Sequence, residues 1–297
     1  MEIVGAYATS HAGLIISHAA KADPGQKDRI YAGFDTVRRE IEALAPDAIV
    51  ILATDHGRIY TLANLPPFVI GVGPVARGIG DAGLAECEVP LHQAFAQAIL
   101  EGTMARDVDL AYSEDTRIDH SFVCPLLLVT PGLDVPIVPL AISCSRPPLP
   151  SLNRTYDVGR RIGDAIRSGP AGRVVVIGTG GLSHWVGDEG RQAFLRRPAG
   201  TRFGHEAEFP VTIGERGQIN VDFDRDFLER LGRGDAAGFI AEWPHERVIA
   251  EGGNGAQEVR NWLAMAGIVE DRPLEPIAYE PIPEWHTGTA VARFRVA

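Results

Sequence analysis

The chain is short of cysteine. Cys87, Cys124 and Cys144 are the only three in 297 residues, and none is spaced C-x-x-C. This excludes a disulfide framework or a thiolate zinc cluster, and it points to a reduced, cytoplasmic setting. Positive charge is scarce too: 28 Lys and Arg stand against 39 Asp and Glu, a net charge of −11 with no basic run. Such a chain grips a nucleic-acid backbone poorly, so no nucleic-acid partner is expected. No apolar run approaches the ~20 residues that span a bilayer. The opening MEIVGAYATSHAGLII lacks a basic segment and is interrupted by His11, so neither a membrane partner nor a signal peptide is expected. Gly178-Thr-Gly-Gly-Leu-Ser has Ser183 where the last glycine of G-x-G-x-x-G would stand, and no G-x-S-x-G is present. A dinucleotide turn and a serine-hydrolase elbow are thereby set aside, and the glycines read as a tight turn that lets backbone approach a site.

What is present is a chain that is 45% hydrophobic, enough for a sizeable core. Short β-branched runs at Ile3–Tyr7, Ala48–Ala53, Phe68–Val72, Val135–Ile142 and Arg173–Ile177 read as buried strands. Between them, apolar residues recur at helical spacing over Asp28–Ala43, Leu91–Leu100, Arg154–Arg167, Asp224–Leu231 and Ala256–Ala266. The alternation predicts an α/β fold, a central mixed sheet flanked by helices. With no repeat, low-complexity tract or convincing linker, residues 1–297 read as one domain. The polar, Gly-rich stretch 185–222 reads as an excursion, a lid over a site.

Three of the nine histidines follow a strand run and a small turn: His11 after Ile3–Tyr7, His56 after Ala48–Ala53, His184 after Arg173–Ile177. Open α/β sheets bind ligands beyond the carboxyl ends of their strands, so these imidazoles are placed to converge. His120 precedes a run at Cys124 that reads as a helix start. Taken singly, a histidine is more often a surface or capping residue, and His18, His92, His205, His245 and His286 keep that reading. Two His and one carboxylate on one face of a metal form the triad of non-haem Fe(II) oxygenases. The carboxylate has several claimants. Asp55 and Asp119 adjoin His56 and His120, where a supporting or turn role is expected. Glu251 lies in Ala250-Glu-Gly-Gly-Asn-Gly, and Glu258 on the helix that follows.

Ser10-His11, Thr54-Asp55-His56, Asp119-His120, Gly178-Thr-Gly-Gly-Leu-Ser-His184 and Glu251 together resemble the class III, LigB-type extradiol ring-cleaving dioxygenases, in order and over nearly the whole chain. Pro66–Gly73, Val135–Leu140, Glu258–Trp262 and Pro281–Trp285 resemble the family's 2,3-dihydroxyphenylpropionate-cleaving branch. The resemblance implies Fe(II) held by His11, His56 and Glu251, with Glu258 in reserve. It makes His184 the catalytic base and His120 an acid or substrate-positioning group. It implies a small aromatic diol and O2 as partners, a muconic semialdehyde-type product, and a homo-oligomer. The segment 185–222 departs from that branch and leaves the ring substituent open. Arg191, Arg196, Arg197 and Arg202 there read as a solvated basic cluster before they read as a carboxylate site. Two other readings compete: a zinc hydrolase using the same pocket, and a non-enzymatic, Memo-like binding protein.

Overall fold

A computed structural model describes residues 1–60, 63–145, 147–185 and 218–296. Most of the stretch expected as a lid, residues 186–217, lies outside them, with Arg191, Arg196, Arg197, Arg202 and His205.

Four strands form the middle of the main sheet: β1 (Glu2–Thr9), β2 (Ala48–Thr54), β8 (Ile137–Ile142) and β9 (Arg173–Thr179). They lie parallel in the order β1-β9-β2-β8. All seven residues of β2 are buried, as a strand covered on both faces must be. One antiparallel strand joins the parallel set on each side, and a further strand lies beyond it. β11 (Thr287–Phe294) and β10 (Leu274–Ile282) flank β1, while β3 (Phe68–Gly71) and β6 (Ala111–Ser113) flank β8. A separate three-stranded sheet is built from β4 (Val75–Ile79), β5 (Glu86–Pro90) and β7 (Thr116–Ile118). The result is the expected mixed sheet in one α/β domain.

Alternation along the central strands divides the core in two. Ile49, Ile51, Val175 and Ile177 point to one face, with Phe34 and Val37 of α2 (Pro24–Leu44) and Phe122 of α4 (His120–Val129). Val50, Leu52, Val174 and Val176 point to the other, with Ile99 of α3 (Gln93–Met104), Ile162 of α5 (Leu152–Ser168) and Trp262 of α8 (Val259–Ile268). A short α1 (Leu14–Ser17) precedes α2, and α6 (Val221–Gly232) and α7 (Ala236–Glu242) lead toward α8. Glycines set how closely α5 and α8 approach. A Cβ on Gly159 would lie 2.1 Å from the Ala264 carbonyl oxygen, and one on Gly267 2.3 Å from that of Tyr156. No helix among the described residues is long and apolar enough to cross a membrane.

Two boundaries differ from expectation for local reasons. α4 begins at His120, not at Cys124, because the Asp119 side chain caps it by accepting from Ser121 N at 2.9 Å. The last helix begins at Val259 because a single π turn (Val248–Gly252) and a 3-10 turn (Gly255–Glu258) precede it.

Candidate active site at the carboxyl ends of the central strands

Because β9 lies between β1 and β2, the loops carrying His11, His184 and His56 leave one edge of the sheet side by side. His11 and His56 meet there, ring centroids 5.3 Å apart. The carboxylate that joins them is Glu258: Oε2 lies 3.1 Å from His11 Nε2, and Oε1 lies 3.1 Å from His56 Nε2. Glu251 does not join them. Its carboxylate is half-exposed and paired at 2.7 Å with Arg247 one helical turn away, a solvated surface pair. Of the two glutamates, the structure places Glu258, the residue held in reserve, and not Glu251, against the two histidines. Glycines admit Glu258. The Gly181 amide donates to Oε2 at 2.7 Å, and a Cβ on Gly180 would come within 2.7 Å of the Glu258 carbonyl oxygen.

Neighbours fix which nitrogen of each histidine faces the cluster. Thr179 Oγ1 donates its only proton to the Ser121 carbonyl at 3.0 Å, so it accepts from His11 Nδ1–H at 3.0 Å. That leaves the His11 Nε2 lone pair aimed at Glu258. His56 Nδ1–H donates to Asp119 Oδ2 at 3.0 Å, so its Nε2 also faces inward. Asp119 is fully buried, capping α4 with one oxygen and orienting His56 with the other. Asp55 does the turn work expected of it, accepting from the amides of Ile59 and Tyr60 at 3.3 and 3.2 Å.

The electrostatics suit a cation. Burial opposes charge on Glu258, but His11, His56 and His184 outweigh it and hold the carboxyl well below its usual range. Burial lowers the His11 pKa and keeps that ring neutral. Burial also opposes charge on His56, yet Asp119 and Glu258 push its pKa up to about 10, so a metal binding at Nε2 must displace the proton that Glu258 otherwise holds there. His11 Nε2 is buried and makes no hydrogen bond, despite its closeness to Glu258. Two inward imidazole nitrogens and an ionised carboxylate, all within 4.8 Å of one another, are a donor set that fits one divalent metal ion.

The other two predicted histidines border this cluster. His120 stacks on His56, centroids 4.3 Å apart. Asp81 accepts from its amide at 2.8 Å and its Nδ1 at 2.5 Å, while Arg58 Nε lies 3.1 Å from the same carboxylate. His184 donates from Nδ1 to the Leu182 carbonyl at 2.9 Å, which puts its lone pair on Nε2. Its ring lies in a glycine cradle: a Cβ on Gly255 would sit 2.1 Å from Nε2, and one on Gly181 3.0 Å from Cε1. This accounts for Gly181, Gly253 and Gly255 within the two glycine-rich segments. Of the remaining histidines, His92 caps α3 and His18 bonds to Ser17 Oγ. His245 bonds to Gln257, and His286 occupies a left-handed turn.

Asp81, Thr179 and Ser121 are site residues that the sequence did not flag. Thr179 had a usable signal, a hydroxyl at the end of an otherwise apolar strand. Asp81 had none, since its partner is 39 positions away.

Residues 5–292 match a family described as the catalytic LigB subunit of aromatic ring-opening dioxygenase. A 2,3-dihydroxyphenylpropionate/2,3-dihydroxicinnamic acid 1,2-dioxygenase from Rhodococcus sp. is 30% identical over 315 aligned positions, covering 96% of this chain and 97% of the relative. The protein of the same description from Escherichia coli strain K12 is 30% identical over 291 positions, covering 90% and 91%. Among solved structures, an uncharacterized protein from Escherichia coli K12 shares the fold, with a TM-score of 0.58, 15% identity and coverage of 98% of this chain and 99% of that one. The chain belongs to the LigB family of aromatic ring-opening dioxygenases and is an enzyme of that kind.

Proposed function

We propose that the chain is an Fe(II)-dependent extradiol dioxygenase, opening the ring of a catechol beside its two hydroxyls to give a muconic semialdehyde-type acid. The observation that carries this reading is the inward convergence of His11 Nε2, His56 Nε2 and the Glu258 carboxylate, with both Nδ1 protons committed elsewhere. Three protein donors leave open positions for a bidentate substrate and O2. The relatives' printed substrates make a catechol bearing a carboxylated side chain the first to test. A cytoplasmic setting and homo-oligomeric assembly belong to the same proposal. Membership in a ring-opening dioxygenase family leaves nothing that favours the hydrolase or binding-protein readings.

Bound at the triad, iron would supply Lewis acidity to a catechol hydroxyl and a path for electrons between ring and O2. The side chains supply the proton chemistry. His184 is the base, and Nε2 is the atom that takes the second catechol proton, because Nδ1–H is held by Leu182. His120 positions the diol and returns a proton from Nε2 as the ring opens, with Asp81 holding the Nδ1 edge of its imidazole. Thr179 and Asp119 keep the two ligand histidines in the tautomer the metal needs.

Protein loaded anaerobically with Fe(II) and then mixed with air and a panel of substituted catechols tests this. The expected result is O2 consumption with appearance of a yellow ring-opened product. No O2 uptake across the panel with iron in place would overturn it.

A further inference from the structure

Asp224 is a fully buried carboxylate on α6 whose hydrogen-bond donors, the Ser183 amide and the Tyr279 hydroxyl, are both neutral. Burial pushes its carboxyl up to about 6, so the fold keeps this group against a cost. Its hydrogen bonds show where it acts. Oδ1 accepts from the Ser183 amide at 2.7 Å, and Oδ2 accepts from Tyr279 Oη on β10 at 2.8 Å. A Cβ on Gly288 would lie 2.0 Å from Oδ2, so β11 presses against the carboxylate with no side chain between.

Ser183 is the residue before His184. Its hydroxyl takes part in a second set of bonds to α6, accepting from the Asn220 amide at 2.8 Å and lying 3.3 Å from the Asn220 carbonyl. The His184 amide donates to the Gly252 carbonyl at 2.9 Å, and the His184 carbonyl accepts from Gly255 N at 3.1 Å. Asn220 Nδ2 reaches the same strip at the Glu251 carbonyl, 2.9 Å away. The backbone around His184 is thus pinned on one side by the glycine strip and on the other by the first turn of α6. Asp224 makes the charged bond of that second clamp and ties it to the β10–β11 hairpin.

We infer that Asp224 is a positioning residue for His184. Through the Ser183 amide and Tyr279, it fixes where the His184 imidazole stands relative to the substrate. It touches neither the proposed metal ligands nor the substrate, so its loss lowers turnover while iron binding stays as it was. The inference rests on the reading of His184 as the base.

Three variants and a reference test it in the iron-loaded protein. Asp224→Ala should lower kcat about 10- to 100-fold, the scale of a small misplacement at a reacting centre, with KM and iron content within about twofold of wild type. Asp224→Asn keeps an acceptor for the Ser183 amide and should hold kcat within about threefold. Tyr279→Phe leaves Oδ2 without its donor and should lower kcat several-fold, with iron unchanged; this reads the clamp even where Asp224→Ala does not accumulate. His184→Phe is the reference. If it keeps wild-type turnover, the reading of His184 fails. If it loses turnover while Asp224→Ala or Tyr279→Phe does not, the positioning role of Asp224 is overturned. Iron content falling in step with kcat in Asp224→Ala, or a more than tenfold loss in Asp224→Asn, also overturns it.

Discussion

At the scale of single residues, the proposed site depends on tautomers set from behind. Thr179 is the clearest case. Its hydroxyl proton is spent on the Ser121 carbonyl, so its oxygen can only accept from His11. Thr179→Val keeps the shape and removes that acceptor. Iron affinity should fall about 10- to 100-fold, the usual cost of removing a partner of a ligating histidine, with little change in fold. Equilibrium dialysis against Fe(II) under nitrogen measures it, and unchanged affinity would show that His11 needs no such support. The positions of His11, His56 and His184 were legible in the sequence because each follows an apolar strand run. The carboxylate was not. Glu251 sits in the more conspicuous Glu-Gly-Gly-Asn-Gly context. What selects Glu258 is a bond from Gly181, 77 positions away, and the absence of side chains on Gly180 and Gly181.

At the scale of elements, α8 has to deliver Glu258 to the sheet edge, and it does so by lying close to its neighbours. Gly178 faces Met265 of α8, where a Cβ would come within 2.2 Å of Cγ. Asn261 on the same helix binds Thr54 Oγ1 at 2.8 Å and the Thr179 carbonyl at 2.7 Å, tying α8 to the ends of β2 and β9. On its outer side, α8 packs on α5 through Gly159. Gly159→Ala would drive a methyl into the Ala264 carbonyl and force the helices apart. It should destabilise the protein by about 1–3 kcal/mol, the usual cost of overpacking, read as a lower urea midpoint. An unchanged midpoint would mean the two helices have slack. Helix and strand spans were readable from apolar spacing, but their ends were not. Asp119 starts α4 four residues before the apolar run at Cys124, and two irregular turns delay α8.

At the scale of the whole molecule, the parallel order β1-β9-β2 is what makes distant residues into one site. Pattern in the sequence gives three strand-end histidines; only the order shows that the strands are neighbours. The same order places Asp224 and the β10–β11 hairpin behind His184, a contact that isolated acidic residues in a helix do not announce. The net charge of −11 gives an anionic substrate no attraction from the protein's overall field, which leaves capture of such a substrate to local groups and the metal. The central claim is that His11, His56 and Glu258 hold the iron that opens the ring. The most direct test is iron bound per chain after anaerobic loading and desalting, compared among wild type, Glu258→Ala and Glu251→Ala. The account predicts about one iron in wild type and in Glu251→Ala, and under about a tenth in Glu258→Ala. Full iron retention in Glu258→Ala, or its loss in Glu251→Ala, would contradict it.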